Sequence, residues 1–123
     1  YTGSGWYERF RVTNAGNVGI GISTPTSALH VVGGNTRSIS TKTTNYTLTG
    51  SDTYVTMNGS SLTATLPTAV GITGQIFNIK NIDSGSLTIN TTSSQTIDGS
   101  TSIILAQWDS KTLISNGTSW EIR

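Results

Sequence analysis

The stretch GNVGIGISTPTSALHVVGG, residues 16–34, sets Gly19 and Gly21 between Val18, Ile20 and Ile22. A period of two reads as a strand with one apolar face and one face that carries no side chains. Glycine inside a strand loses backbone entropy and packing, and it marks a bulge, a tight bend or a place where other backbone comes close. Two readings of Gly19 and Gly21 follow: a bend in the chain's own sheet, or the approach of a neighbouring chain.

Composition extends the strand reading to the whole chain. Ser and Thr make up about a third of the 123 residues, Ile, Val and aromatics recur in short runs, and helix formers are scarce. Strands are predicted near 7–13, 17–22, 28–32, 45–49, 53–57, 61–66, 75–82, 86–90, 102–106, 111–115 and 119–123. The turn dipeptides Asn58-Gly59, Asp98-Gly99 and Asn116-Gly117 fall between them, and such pairs favour tight reversals because their backbone takes positive φ. Asn116-Gly117 is the clearest hairpin. Uneven glycine spacing predicts a meander rather than a fixed-period solenoid. Residues 33–44, GGNTRSISTKTT, have few packing side chains and read as a connector or as a long surface loop.

The core is thin. With glycine counted in and tyrosine out, about 41% of the chain is apolar, below the roughly 45–50% of globular domains. With no cysteine there is no disulfide to compensate. Such a chain gains burial by sharing a core with copies of itself. A net charge of +1, with basic residues scattered from Arg9 to Arg123, disfavours nucleic acid as a partner. No apolar run approaches the ~18 residues of a membrane-spanning helix, so no membrane insertion is expected. Tyr1 stands where an initiator Met would, which suggests a fragment or processed product.

Two longer stretches carry a resemblance. TNAGNVGIGISTPTSALHV (13–31) resembles the N-V-G-I-G, T-x-x-P, L-x-V repeat upstream of the tips of bacteriophage tail fibres and tailspikes. The run from Ala64 to Ile122, with an early Leu-Pro, a TIDG turn and an NGTSWEI ending, is similar to the C-terminal β domains of such fibres. Ile22-Ser23 departs from the repeat, which has small polar residues there. The resemblance implies an intertwined parallel homotrimer joined to upstream fibre or baseplate proteins, on the virion or another extracellular surface. Its work would be binding a host cell-surface glycan or protein receptor. The fold expected is all-β: a short shaft segment (1–33), a connector (34–44) and an antiparallel β-sandwich-like or β-prism tip (45–123). The expected trimer interface is Gly19, Gly21, Val18, Ile20, Ile22 and His30.

Catalytic chemistry is not expected. Glu8, Asp52, Asp83, Asp98, Asp109 and Glu121 form no same-strand pair able to divide acid and base roles. Asp52, Asp83 and Asp98 sit beside turn glycines. His30, the only histidine, reads as packed or hydrogen-bonded rather than as a metal ligand shared by three copies, and no cofactor is expected. Trp120 is in phase with Ile122 and belongs to the core. Trp108 lies in the polar connection AQWDSK, beside Gln107 and Asp109. It suits either sugar stacking or a lid over the sheet end. Tyr54, which with Tyr46 reads as facing one side, completes the candidate receptor contacts Trp108, Asp109, Gln107 and Tyr54. A filament subunit or surface adhesin, and a glycan-cleaving tailspike fragment, are the alternative functions.

Overall fold

A computed structural model describes residues 9–123. Tyr7 and Glu8 of the expected first strand lie outside the described residues, as does the rest of 1–8. The chain divides into two compact units, Tyr1–Thr36 and Arg37–Arg123. Every regular element among the described residues is a strand, so the protein is all-β.

The first unit contains one three-stranded sheet. Strand β1 (Phe10–Val12) pairs antiparallel with β2 (Val18–Ile20), and β2 pairs parallel with β3 (Leu29–Val31). The register sets Phe10, Ile20 and Val31 in one row, Arg11, Gly19 and His30 in the next, and Val12, Val18 and Leu29 in the third. Side chains in a strand alternate between faces. Six apolar residues therefore share one face, and Arg11, Gly19 and His30 share the other.

The chain itself occupies the bare side of the glycines. A Cβ on Gly19 would lie 2.5 Å from the Ile22 carbonyl oxygen and 3.4 Å from the Pro25 ring, because the chain folds back over Gly19 after β2. Gly21 makes that bend. Its φ is +72°, a Cβ there would sit 2.9 Å from the Val32 carbonyl oxygen, and its N–H donates to the Arg9 carbonyl at 3.0 Å. The expectation that a neighbouring chain fills this side is thereby corrected for both glycines. Gly21→Val should weaken the first unit by about 1–3 kcal/mol through backbone strain. Gly34→Ala, in open space at ordinary φ, should be near neutral. Amide exchange across Val18–Ile20 compares them, and equal losses would show that the bend is not what requires Gly21.

The second unit alternates between two sheets as the chain advances. Strands β4 (Ile39–Lys42), β6 (Tyr54–Met57) and β8 (Ile76–Asn81) run parallel in one sheet, while β5 (Tyr46–Thr47), β7 (Thr63–Thr65) and β9 (Leu87–Asn90) run parallel in the other. Each parallel pair needs a crossover, and the strand in the opposite sheet supplies it. Three successive coils result. Backbone bonds tie each coil to the next, including Asn58 N–H to the Lys42 carbonyl (2.8 Å) and Ile82 N–H to the Met57 carbonyl (3.0 Å). Antiparallel strands complete the sheets: β10 (Ser102–Leu105) on β9, β11 (Ser110–Ser115) on β8, and β12 (Trp120–Ile122) on β11.

The antiparallel tip and the meander are thus corrected to two mixed sheets built on a coiled core. No fixed period announces the coils, because the aligned residues Ile39, Tyr54 and Asn78 are 15 and then 24 residues apart. Residues 34–44, read as a connector, contain β4.

One core fills the space between these sheets. Val55, Met57, Phe77, Ile79, Leu113 and Trp120 come from the five-stranded sheet, and Ala64, Leu87, Ile89 and Leu105 from the four-stranded one, all buried. Trp120 is in the core as expected. It stacks at a tilt on Phe77, with centroids 5.4 Å apart, and donates from Nε1 to the Pro67 carbonyl at 3.3 Å.

The β11–β12 hairpin is present, but its loop has four residues rather than two. Asn116 Oδ1 accepts from the Thr118 and Ser119 N–H groups, and Gly117 has φ +95°. A Cβ on Gly117 would also lie 2.6 Å from Thr73 Oγ1. Gly117→Val should cost about 1–3 kcal/mol, whereas Thr118→Ser keeps the hydroxyl that donates to Asn116 Oδ1 and should be nearly silent. Equal thermal shifts for the two variants would refute this account of the turn.

Candidate functional site

The outer face of the five-stranded sheet is built from two cross-strand rows. Ile39, Tyr54, Asn78 and Thr112 align in one, and Thr41, Thr56, Lys80 and Ser110 in the other. They are out of phase with the buried Val55, Phe77 and Ile79, which turns them to solvent. A shallow depression of about 200 Å³ lies here, lined by residues that include Ile39, Tyr54, Thr56, Asn78, Lys80 and Thr112. Its lining contains no carboxylate. The Thr112 hydroxyl donates to Asn78 Oδ1 at 2.7 Å, which orients that amide and leaves its nitrogen as the free donor group.

Trp108 stands at the end of this face. Its side chain is 62% exposed, and its φ is +68°. It holds the third position of the turn Ala106–Asp109, closed by Asp109 N–H donating to the Ala106 carbonyl at 3.1 Å. That position favours Gly or Asn when φ is positive; another side chain costs roughly 1–2 kcal/mol there.

Neighbouring bonds fix the turn against this strain. Trp108 N–H donates to the Asn81 carbonyl (2.8 Å), Asn81 N–H donates to the Asp109 carbonyl (3.0 Å), and Lys80 Nζ donates to the Trp108 carbonyl (3.0 Å). Lys80 Nζ also lies 5.9 Å from the centre of the indole ring, at the outer limit of cation–π range. Asn81 is itself buried, with its amide bonded to the Gly85 and Leu105 carbonyls.

The structure sorts the candidate contacts. Trp108 is exposed rather than a lid, and Lys80 links it to the depression that Tyr54 lines. Asp109 serves the turn: its Oδ2 accepts from Ala106 N–H at 3.2 Å. Gln107 points its amide toward the Ile82 carbonyl, 3.5 Å away. Tyr46 does not share a side with Tyr54; it lies in the other sheet, half-buried beneath Lys42 Nζ, 3.9 Å from the ring centre, with its hydroxyl donating to Asp52.

In the first unit, Val18 and Ile20 lie on the apolar face. Ile22 has crossed to the side of Gly19, and His30 is also on that opposite face, where its Nδ1 accepts from Thr26 N–H at 3.3 Å. Phe10, Val12 and Leu29 are 62, 59 and 60% exposed and join Val18 and Ile20 through the register. Sequence reasoning missed them, and it missed Lys80. The phase of FRV and LHV against VGI, and of Lys80 against Ile79, carried the signal.

The remaining described carboxylates hold turns and strand ends. Asp52 accepts from Thr49 N–H, Asp83 from Gly85 N–H, and Asp98 from Ile122 N–H, while Glu121 pairs with Arg123. No group of three or more His, Cys, Asp or Glu suited to a metal occurs among the described residues. No family model, curated protein or solved structure matches the chain.

Proposed function

We propose that this chain is a structural and adhesive segment of an extracellular fibre of the phage tail-fibre kind, in which copies associate through the first unit and the second unit binds a host-surface receptor. The observation that carries this reading is the apolar face of the first unit, where Phe10, Val12 and Leu29 stand mostly exposed beside Val18, Ile20 and Val31. The first unit's described strands are three residues each and carry no disulfide, so the sheet gains stability from whatever covers its apolar face. The face presents on the order of 500 Å² per chain, the size of the largest apolar patch on many chains, which is often functional. Closed rotational symmetry brings the same face of every copy together, and three is the copy number that the resemblance to phage fibres implies.

Adhesion is favoured over glycan cleavage because the described carboxylates are engaged in turns and strand ends. A closed assembly is favoured over coil-on-coil polymerisation because edge strand β4 aligns Ser40 and Lys42 with the inward-facing Val55 and Met57. An inward charge on an edge strand opposes further pairing.

Sedimentation equilibrium of the intact chain, paired with binding to host cells, tests the proposal. A trimer that binds cells is expected. A monomer at tens of micromolar, or a trimer that binds no surface, overturns it.

A further inference from the structure

We infer that the outer face around Tyr54, Lys80 and Trp108 is a saccharide subsite selective for acidic sugars. The inference rests on the adhesive reading above and names the ligand chemistry of that face. Trp108 is held exposed in a backbone conformation that its side chain disfavours, by its own N–H on the Asn81 carbonyl, the Lys80 ammonium on its carbonyl, and the Asn81 N–H on the next carbonyl, that of Asp109. Strain maintained by its surroundings is a feature of binding sites. A flat apolar ring offered to solvent suits the C–H face of a pyranose.

The polar groups beside the ring set the selectivity. Lys80 spends one donor on the Trp108 carbonyl and retains two, since an ammonium carries three. Asn78 offers its amide nitrogen and Tyr54, 42% exposed, its hydroxyl. Every residue lining the depression is neutral or basic; Asp109 lies outside that lining, with its Oδ2 turned to Ala106 N–H. A carboxylate-bearing sugar stacked on Trp108 would meet a cation and neutral donors; a cationic sugar would meet Lys80.

The test uses immobilised oligogalacturonate and its carboxyl-reduced, neutral counterpart as probes for the intact, assembled chain. Oligogalacturonate should bind at least fivefold more tightly, and the difference should shrink as salt rises. Trp108→Asn, which keeps a residue suited to positive φ, should lose about thirtyfold on oligogalacturonate, as removal of an aromatic anchor does, with the melting temperature held or raised. Lys80→Gln should lose the preference for the acidic probe, whereas Lys80→Arg, which keeps the positive charge and its donors, should retain it.

Equal binding of the two probes overturns the acidic preference and leaves adhesion at this face standing. Neither probe bound, with host cells still bound, overturns the subsite alone. Neither probe nor cells bound overturns the proposed function as well. A Trp108→Asn variant that melts earlier, while its folded fraction binds as before, makes Trp108 a structural lid and ends the inference.

Discussion

Trp120→Ala is expected to remove about 3–5 kcal/mol from the stability of the second unit, the range for truncating a large buried aromatic. Trp120 is 1% exposed and joins several parts of the core at once. Its ring packs on Phe77 of β8, its Nε1–H satisfies the Pro67 carbonyl, and its backbone N–H donates to the Thr96 carbonyl. Alanine keeps only the last. The void lies between the two sheets beneath edge strand β12, which is held by β11 on one side and by the Thr96 and Asp98 backbone on the other, so the core cannot close over it without shifting these segments. A domain of this size commonly has only about 5–15 kcal/mol in total, so the loss approaches unfolding. Trp120→Phe separates the contributions: it retains a ring against Phe77 and leaves the Pro67 carbonyl without its donor, for about 1–3 kcal/mol. Urea denaturation of the three proteins measures this, and a loss under 1 kcal/mol for Trp120→Ala would mean that the two sheets do not share the core described.

What the sequence makes legible here follows from which residues repeat with a period of two. The strands around YVTM, IFNIKN and LTIN stand out because buried and outward residues alternate within each. ISTK at β4 does not stand out, because an end coil inverts the pattern. Ser40 and Lys42 take the inward phase, and Ile39, 71% exposed, points outward.

Parallel pairing is equally hidden. Asn58-Gly59 has the composition of a hairpin turn, yet it carries the chain from one sheet to the other, and nothing local distinguishes a reversal from a corner. Two-residue hairpin geometry appears instead at Asp98-Gly99, where both φ angles are positive and Ile97 and Ser100 exchange backbone bonds. In GNVGIGI the bare face of the glycines was legible, but what fills it was not. The occupant, Ile22 to Pro25, arrives only because Gly21 turns the strand back on itself. At the candidate site, the polar setting of Trp108 leaves sugar stacking and a lid both open, and its exposure, positive φ and Lys80 bridge depend on β8 meeting the 106–109 turn across a long sequence separation.

Val12→Lys with Leu29→Lys is expected to convert the assembled protein into monomers. Both positions lie in one cross-strand row flanking Val18, and both are about 60% exposed within the chain. Their replacement therefore removes little that a single copy buries, and surface changes of that kind alter intrinsic stability by about 0.5 kcal/mol or less. In an assembly closed over this face, the same two side chains become interior. Burying the face in every copy contributes on the order of 10 kcal/mol per chain before the cost of association. Each ammonium carried inside without a partner opposes that by several kcal/mol, and three copies bring six such charges together. The cost of association already offsets much of the gain, so two such charges per chain outweigh what remains, and dissociation at micromolar concentration should be complete rather than partial. Thr24→Lys with Asn35→Lys adds the same charge at exposed loop positions and should leave the assembly intact. Sedimentation equilibrium distinguishes the outcomes: if the two double variants sediment alike, the apolar face is not where copies meet. Monomers of the first variant should still fold their second unit, and any receptor binding that survives in them should be weaker by the lost multiplicity of sites, since linked sites bind with an avidity beyond that of each alone.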